Sequence, residues 1–458
     1  MVALGGSVSV ADRLKSLHQT MDSVSVCKPV TKYAAEVDSP ASTAEVLAAA
    51  FRAAESARPG SAFVGLPTDV MTGEAQCKPV GLSSFTEQGR AAEASLREAA
   101  RLINSAKAPV VFLGLMASKP KAADAIRGFL NECLMPVVGT FQAAGAISQH
   151  LFPYFAGRVG QLANQPADEV LHTADLVLTI GYDAVEYWPS LWNKGRDRTI
   201  MHVDVVPAEI ENDYNPAVEL IGSIEETLAA LSPLLHRPEV DPSSKALLSR
   251  IAQDREQMRA EASSLSAVPI HPLRLIAELQ DILTPDVTVC SDMGSFSMYL
   301  ARYLYSFRAR QLLISNGQQT LGVALPWGIA ATLVHPQEKV LSISGDGGFL
   351  FSANELETAV RLKAHLVHMI WIDGSYDMVG SQERLKYNRP SGVDFGPVDP
   401  VKYAEAFGAT GLRINRPDQI ITTLRKAFDT PGPVLVGVHV DYGQNVKLFE
   451  QVYEGSIL

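Results

Sequence analysis

The sequence predicts an α/β protein of three consecutive doubly wound domains built on parallel sheets, the first of them incomplete. Three observations carry that prediction. The 458 residues suffice for three domains at about 150 residues each. Short β-branched runs alternate with helical patterns rich in Ala, Leu, Glu and Arg, the alternation that produces parallel sheets. In the C-terminal part those runs end in glycines, hydroxyls, amides and acids, and an open parallel sheet binds its ligand at such ends.

The first block, 1–85, opens with an apolar run at 2–4 and Gly5-Gly6, continues with a helix pattern over 44–57, and has a strand at 62–66 closed by Pro67. Two strands and one long helix are too few to cover both faces of a parallel sheet. The block is therefore expected to be the remnant of a domain whose beginning is absent. Polar residues 81–90 read as a linker.

The second block, 92–235, carries strands at 110–113, 136–138, 176–180, 200–203 and 219–221, with helices over 93–105 and 120–134. Five strands with crossovers make a small doubly wound domain. The charged, helical stretch 236–270, with Pro238, Pro242 and Pro269, reads as a connector. The third block, 271–458, has strands at 287–290, 312–315, 340–344, 366–373 and 434–440.

The 39 Lys and Arg against 50 Asp and Glu leave a net charge of −11 without a basic block, which argues against a nucleic-acid partner. Apolar residues at 47% and charged residues at 19% argue against disorder and predict an oligomer. Cys27, Cys77, Cys133 and Cys290 are too scattered for a disulfide framework or metal-ligand spacing and predict reduced thiols. No run is long and apolar enough for a membrane span, so a cytoplasmic protein without a membrane partner is expected.

The chemistry concentrates at two strand ends. A buried-type strand at 341–344 leads into Gly345-Asp346-Gly347-Gly348, expected as a turn, and then a helix over 352–362 with Glu355 and Glu357 near its start. A strand, glycine turn and helix start can receive a phosphate, but Asp346 would repel it unless a cation lies between. Mg²⁺ takes one or two carboxylates and phosphate oxygens, and the second carboxylate should end a neighbouring strand. Asp373 does so, 27 residues after Asp346, one helix plus one strand. Alone, each acid reads as an ordinary turn residue; the interval, the apolar strand and the helix together favour the joint reading. His365 and His368, three apart on a strand, point to opposite faces and are not a metal pair.

Gly345-Asp346-Gly347, followed by Asp373 where an Asn usually stands, resembles the diphosphate motif of thiamine-diphosphate enzymes. The segments 315–326 (SNGQQTLGVALP) and 373–379 (DGSYDMV) look like the acetolactate synthase family, in its catabolic, pyruvate-only branch. The likeness runs from VALGG at 2–6 through RPGSAFV at 58–64 to the C-terminus.

That resemblance implies pyrimidine-binding, central and diphosphate-binding domains, in the order of the three blocks. It implies Mg²⁺ ligation by Asp346, Asp373 and the Ser375 backbone carbonyl. Gly294, Ser295 and Phe296 would lie near the diphosphate, with Gly345, Gly347, Gly348, Tyr376 and Met378 completing the cofactor set. Leu321 would hold the cofactor bent, so that its own base reaches its reactive carbon. Met378 and Val379 would face the reacting carbons; core residues at a helix start are the alternative. The amino-acid-producing branch has a nearby Trp that favours 2-ketobutyrate, whereas this chain has Gln382, so pyruvate is expected as donor and acceptor, giving 2-acetolactate and CO₂. Gln19 is a substrate-side candidate, with a plain surface Gln as the alternative.

The central block lacks a glycine fingerprint for a dinucleotide, and its turns at Gly114-Leu115-Met116 and Gly181-Tyr182-Asp183 read as structural; FAD, kept by the family's synthesis branch, is not expected. A homodimer or homotetramer is implied, because the family's cofactor lies between subunits. The family's activating glutamate falls upstream of the segment matching 2–6, and none of Asp12, Asp22, Glu36, Asp38, Glu45, Glu55 and Asp69 inherits its role, so impaired turnover is expected. A non-catalytic regulatory or scaffolding homologue, or another 2-oxo-acid decarboxylase or carboligase, are the alternatives.

Overall fold

Among the described residues, aliphatic and β-branched runs assemble three sheets in which all strand pairings are parallel. The computed structural model describes residues 1–75, 77–81, 88–160, 164–196, 198–236 and 239–446, in two units, Met1–Gly89 and Arg90–Leu458. Pro238 and most of the linker expected over 81–90 lie outside the described residues.

In the first unit, β1 (Val2–Ser7), β2 (Tyr33–Glu36) and β3 (Ala62–Pro67) form a sheet in the order β1-β3-β2. The helix Thr43–Glu55 buries Ala50 and Ala54 in a small core with Val37, Val64 and Val70. Strand β2, a Tyr-Ala-Ala-Glu segment half-buried throughout, corrects the two-strand expectation.

The second unit holds two six-stranded sheets. The first comprises β4 (Pro109–Leu113), β5 (Val137–Thr140), β6 (Phe155–Val159), β7 (Leu176–Ile180), β8 (Thr199–Asp204) and β9 (Val218–Ile221), in the order β6-β5-β4-β7-β8-β9. Successive side chains of a strand face opposite sides. Thus Val111 and Leu113 enter one core with the helices Glu93–Ser105 and Pro120–Glu132, while Val110 and Phe112 enter another on the opposite face. The five-strand expectation gains β6, whose Phe-Ala-Gly-Arg-Val sequence has no hydrophobic run. The connector contains the 23-residue helix Pro242–Ser264.

The last sheet comprises β10 (Val287–Ser291), β11 (Leu312–Ile314), β12 (Lys339–Gly345), β13 (Leu366–Ile372), β14 (Thr410–Ile414) and β15 (Val434–His439), in the order β11-β10-β12-β13-β15-β14. Strand β14 was not expected from its polar, glycine-containing sequence. Val289, Leu341, Met369 and Val436 pack on one face, and Val340, Leu366, Ile370 and Leu435 on the other. His368 is buried in the second face, its Nδ1 bonded with Ser342 Oγ (2.7 Å) and its Nε2 with Ser344 Oγ (3.0 Å); His365 is exposed. Among the described residues no helix is long and apolar enough to cross a membrane. All four cysteines are free.

Candidate active site

Strands β10 and β11 build one side of the last sheet and β12 and β13 the other, so the order reverses between β10 and β12. Ligands of open α/β sheets occupy the crevice beyond the strand ends at such a point. Because the strands are parallel, the segments after β10, β11, β12 and β13 reach one edge.

Beyond β12 the chain enters a helix at once: Asp346–Ser352 is helical with Gly345 as its N-cap, and a second helix follows at Glu355–Arg361. This corrects the expected turn at Gly345–348 and the expected single helix over 352–362. Asp and Gly are turn formers locally, but an acid in a first helical turn is favoured by the helix dipole. Gly347 donates its N–H to Asp346 Oδ1 (3.0 Å), and Gly374, beyond β13, donates to Asp346 Oδ2 (2.8 Å).

Asp373 follows β13, and its Oδ2 accepts from Ser375 Oγ (2.7 Å). Burial weakens the acidity of both acids: Asp346 is raised above the ordinary carboxylate range and Asp373 is pushed up to about 7, with the carboxylates of Asp346 and Asp377 adding to the effect of burial. Two buried carboxyls side by side, one of which raises the pKa of the other, favour a proton or a cation between them. This donor set fits a divalent ion that takes its remaining oxygens from phosphates. Among the described residues, three or more His, Cys, Asp or Glu side chains nowhere gather as a metal cluster.

Gly347 and Gly348 allow close packing around the acids. A Cβ on Gly347 would lie 2.5 Å from the Tyr376 ring, and one on Gly348 would lie 2.8 Å from Asp292 Oδ2. Tyr376, at the N-cap of the helix Asp377–Tyr387, packs on Phe395 with ring centroids 5.1 Å apart. Gly294 adopts φ +153°, a conformation L side chains rarely take, at the start of the helix Ser295–Tyr303. Ser295 donates to Asp377 Oδ2 (2.6 Å), and buried Phe296 packs against Trp371.

The sequence places Asp292 among the acids at the strand ends but assigns it no role of its own. Buried at the end of β10, its two oxygens accept the N–H of Gly322 at 3.0 and 2.9 Å, and Oδ1 accepts from Met293 N (2.9 Å). Asp292 thereby ties the Leu321-bearing loop to β10. Burial pushes its pKa up to about 6. Sequence reasoning missed Asp377 and Asn445: Asn445 Nδ2 donates to Asp377 Oδ2 (2.7 Å), and its Oδ1 accepts from Tyr299 OH (2.6 Å).

The remaining candidates are dispersed. Leu321 is partly buried against the core on one sheet face. Met378 and Gln382 are half-buried on the helix Asp377–Tyr387, whereas Val379 is 48% exposed. Gln19 is exposed in the first unit, at φ +60°.

Residues 292–438 match the family described as the C-terminal TPP-binding domain of thiamine pyrophosphate enzymes, and residues 96–231 match the central domain of the same enzymes. The fold and the paired acids at its strand ends thus belong to a thiamine-diphosphate-dependent enzyme. The chain is 48% identical to a catabolic acetolactate synthase of Raoultella terrigena, over 100% of this chain and 82% of that protein. It is 46% identical to an acetolactate synthase of Bacillus subtilis, over 98% of this chain and 79% of the relative. The large subunit of acetolactate synthase isozyme 2 of Escherichia coli is 26% identical over 97% of this chain and 80% of its own length. The chain belongs to the acetolactate synthase family.

Proposed function

We propose that this protein converts two pyruvate molecules into 2-acetolactate and CO₂, using thiamine diphosphate anchored through Mg²⁺. The observation that carries the reading is the pairing of Asp346 and Asp373 at adjacent strand ends, with Gly374 N–H bonded to the first of them. Asp346, Asp373 and the Ser375 carbonyl would hold the Mg²⁺. Gly294, Ser295, Phe296, Gly345, Gly347, Gly348, Tyr376 and Met378 would line the cofactor's diphosphate end.

Thiamine diphosphate, when bound, supplies the electron sink that lets pyruvate lose CO₂ and its remaining two carbons join a second carbonyl. The chain's residues position and desolvate. Leu321 braces the cofactor from a loop fixed by Asp292, Met378 and Gln382 border the acceptor, and the apolar walls exclude water. Gln19 would approach the substrate side. Residues 1–85 would bind the pyrimidine, 92–235 form the central domain, and 271–458 take the diphosphate; the matches at 96–231 and 292–438 support the last two assignments.

The central domain works without FAD in this reading. Support comes from Glu186, whose buried carboxyl accepts from Leu115 N (2.9 Å), Asp183 N (3.2 Å) and Thr140 Oγ1. It occupies backbone donors beyond β4 and β7 that a pyrophosphate would otherwise use. A homodimer or homotetramer is the working form; Phe351, 61% exposed beside Gly322, supports a covered site rim.

Incubation with pyruvate, thiamine diphosphate and Mg²⁺ is expected to release CO₂ and accumulate 2-acetolactate, read as acetoin after acid treatment. Acetaldehyde as the sole product contradicts the proposal.

A further inference from the structure

A second site lies away from the strand-end acids. The edge strand β6, the helix Pro242–Ser264 and the C-terminal end of the helix Ser295–Tyr303 enclose a cavity of about 220 Å³. An adjoining cavity of about 280 Å³ shares Arg255, Met258, Tyr303 and Tyr305 with it.

Three arginines line the first cavity. Arg158 is 4% and Arg302 9% exposed. Arg158 donates to the Leu304 carbonyl, but its Nε has no partner. Arg302 has neither Nε nor Nη2 bonded. Arg255 donates to the Phe155 carbonyl (3.0 Å) and lies over the rings of Phe152 and Tyr305, at 4.4 and 4.7 Å.

The carboxylate lining this cavity, Asp254, is exposed and does not pair with these arginines. Among the described residues none of the three arginines makes an ion pair. Asp168 influences Arg302 through space, yet its oxygens are engaged by Gln165 N (2.8 Å) and Tyr187 OH (2.7 Å). Burying unpaired charge is costly, and buried donors are normally satisfied. Adjacent Nε and Nη2 donors of one guanidinium form the fork that takes two oxygens of a carboxylate or phosphate side by side. Burial holds the pKa of Arg158 down to about 10, and the neighbouring charge of Arg255 adds to the effect.

We propose that this cavity binds a small oxyanion, gripped by the free Nε and Nη2 of Arg302 and the Nε of Arg158, with Arg255 at the rim. The ligand's charged end is a carboxylate or a phosphate, and Tyr303, Tyr305 and Met258 form the wall for any apolar remainder. The bound anion would fasten the central sheet, the connector helix and the diphosphate-binding part together.

The test is thermal unfolding of the full chain titrated with sodium phosphate and, separately, sodium succinate, with chloride matched for ionic strength. One of the two oxyanions is expected to raise Tm saturably, by about 3 °C at a hundredfold excess over Kd, and which one does so identifies the source. The rise should vanish in Arg302→Met and persist in Asp346→Ala, which separates this site from the strand-end acids. Without added oxyanion, Arg302→Met should melt at or above the wild-type temperature, because it removes an unpaired buried charge. Three results overturn the proposal: no rise beyond chloride, a rise that survives Arg302→Met, or a lower Tm for that variant without oxyanion.

Discussion

The backbone N–H of Gly374 donates to Oδ2 of Asp346 at 2.8 Å. This bond joins the loop after β13 to the acid after β12 and draws Asp373, the neighbour of Gly374, to the same edge. An interval of 27 residues in the sequence thus becomes a pair of carboxyls whose acidity burial weakens, with Asp346 adding to the effect at Asp373.

Metal uptake at this pair should depend on pH. With Asp373 at about 7, Mg²⁺ must displace a proton below that pH, so the affinity for Mg²⁺ with thiamine diphosphate should fall as pH drops from 8 to 6. The metal-free protein follows the same groups in the opposite sense. A raised carboxyl pKa contributes stability that is complete below the unfolded value of about 4 and lost as pH rises through about 7. Mg²⁺ with cofactor should therefore raise Tm more at pH 8 than at pH 6, and equal gains would contradict this.

Asp292→Ala should loosen the Leu321 loop. The Gly322 N–H and the Met293 N–H lose their acceptor inside the protein, which costs about 1–3 kcal/mol for each donor left unsatisfied. The variant should melt several degrees lower and bind cofactor more weakly, measured by thermal unfolding and by a cofactor titration.

Gly347→Ala should act through Tyr376. The added methyl would sit 2.5 Å from that ring, and forced overpacking costs about 1–3 kcal/mol. Displacing Tyr376 also moves the loop that carries Ser375, so cofactor affinity should fall together with Tm. A variant with unchanged affinity would separate the loop from the cofactor.

His368 should set an acid limit on stability. Its pKa is pushed down to about 3 by burial, so the folded state binds fewer protons than the unfolded chain between about pH 3 and 6.5. The contribution is present above 6.5 and lost as pH falls, at up to about 1.4 kcal/mol per pH unit. His368→Gln, which can bridge the same two serines without titrating, should narrow the difference between Tm at pH 7 and pH 5.

The interior strands were legible because burial on both faces demands apolar residues throughout. The bounds expected for β7, 176–180, are those observed. The missed strands β2, β6 and β14 are all sheet edges, where fewer neighbours allow Gly, Ala, Arg and Glu to interrupt the pattern. The paired acids were legible through spacing. The role of Asp292 was not, because its partner Gly322 lies 30 residues away and a lone Asp after a strand has many uses. Local turn propensity concealed the helix that starts at Asp346, since its glycines are justified by contacts with Tyr376 and Asp292 rather than by a turn.

The most direct test is a titration of thiamine diphosphate in the presence of Mg²⁺ on wild type, Asp346→Ala and Asp373→Ala, followed by protein fluorescence or calorimetry. Each substitution removes one of the two carboxyls proposed to hold the metal and should weaken cofactor binding by at least about tenfold, equivalent to about 1.4 kcal/mol. Wild-type affinity in both variants would contradict the assignment of these two acids to the metal.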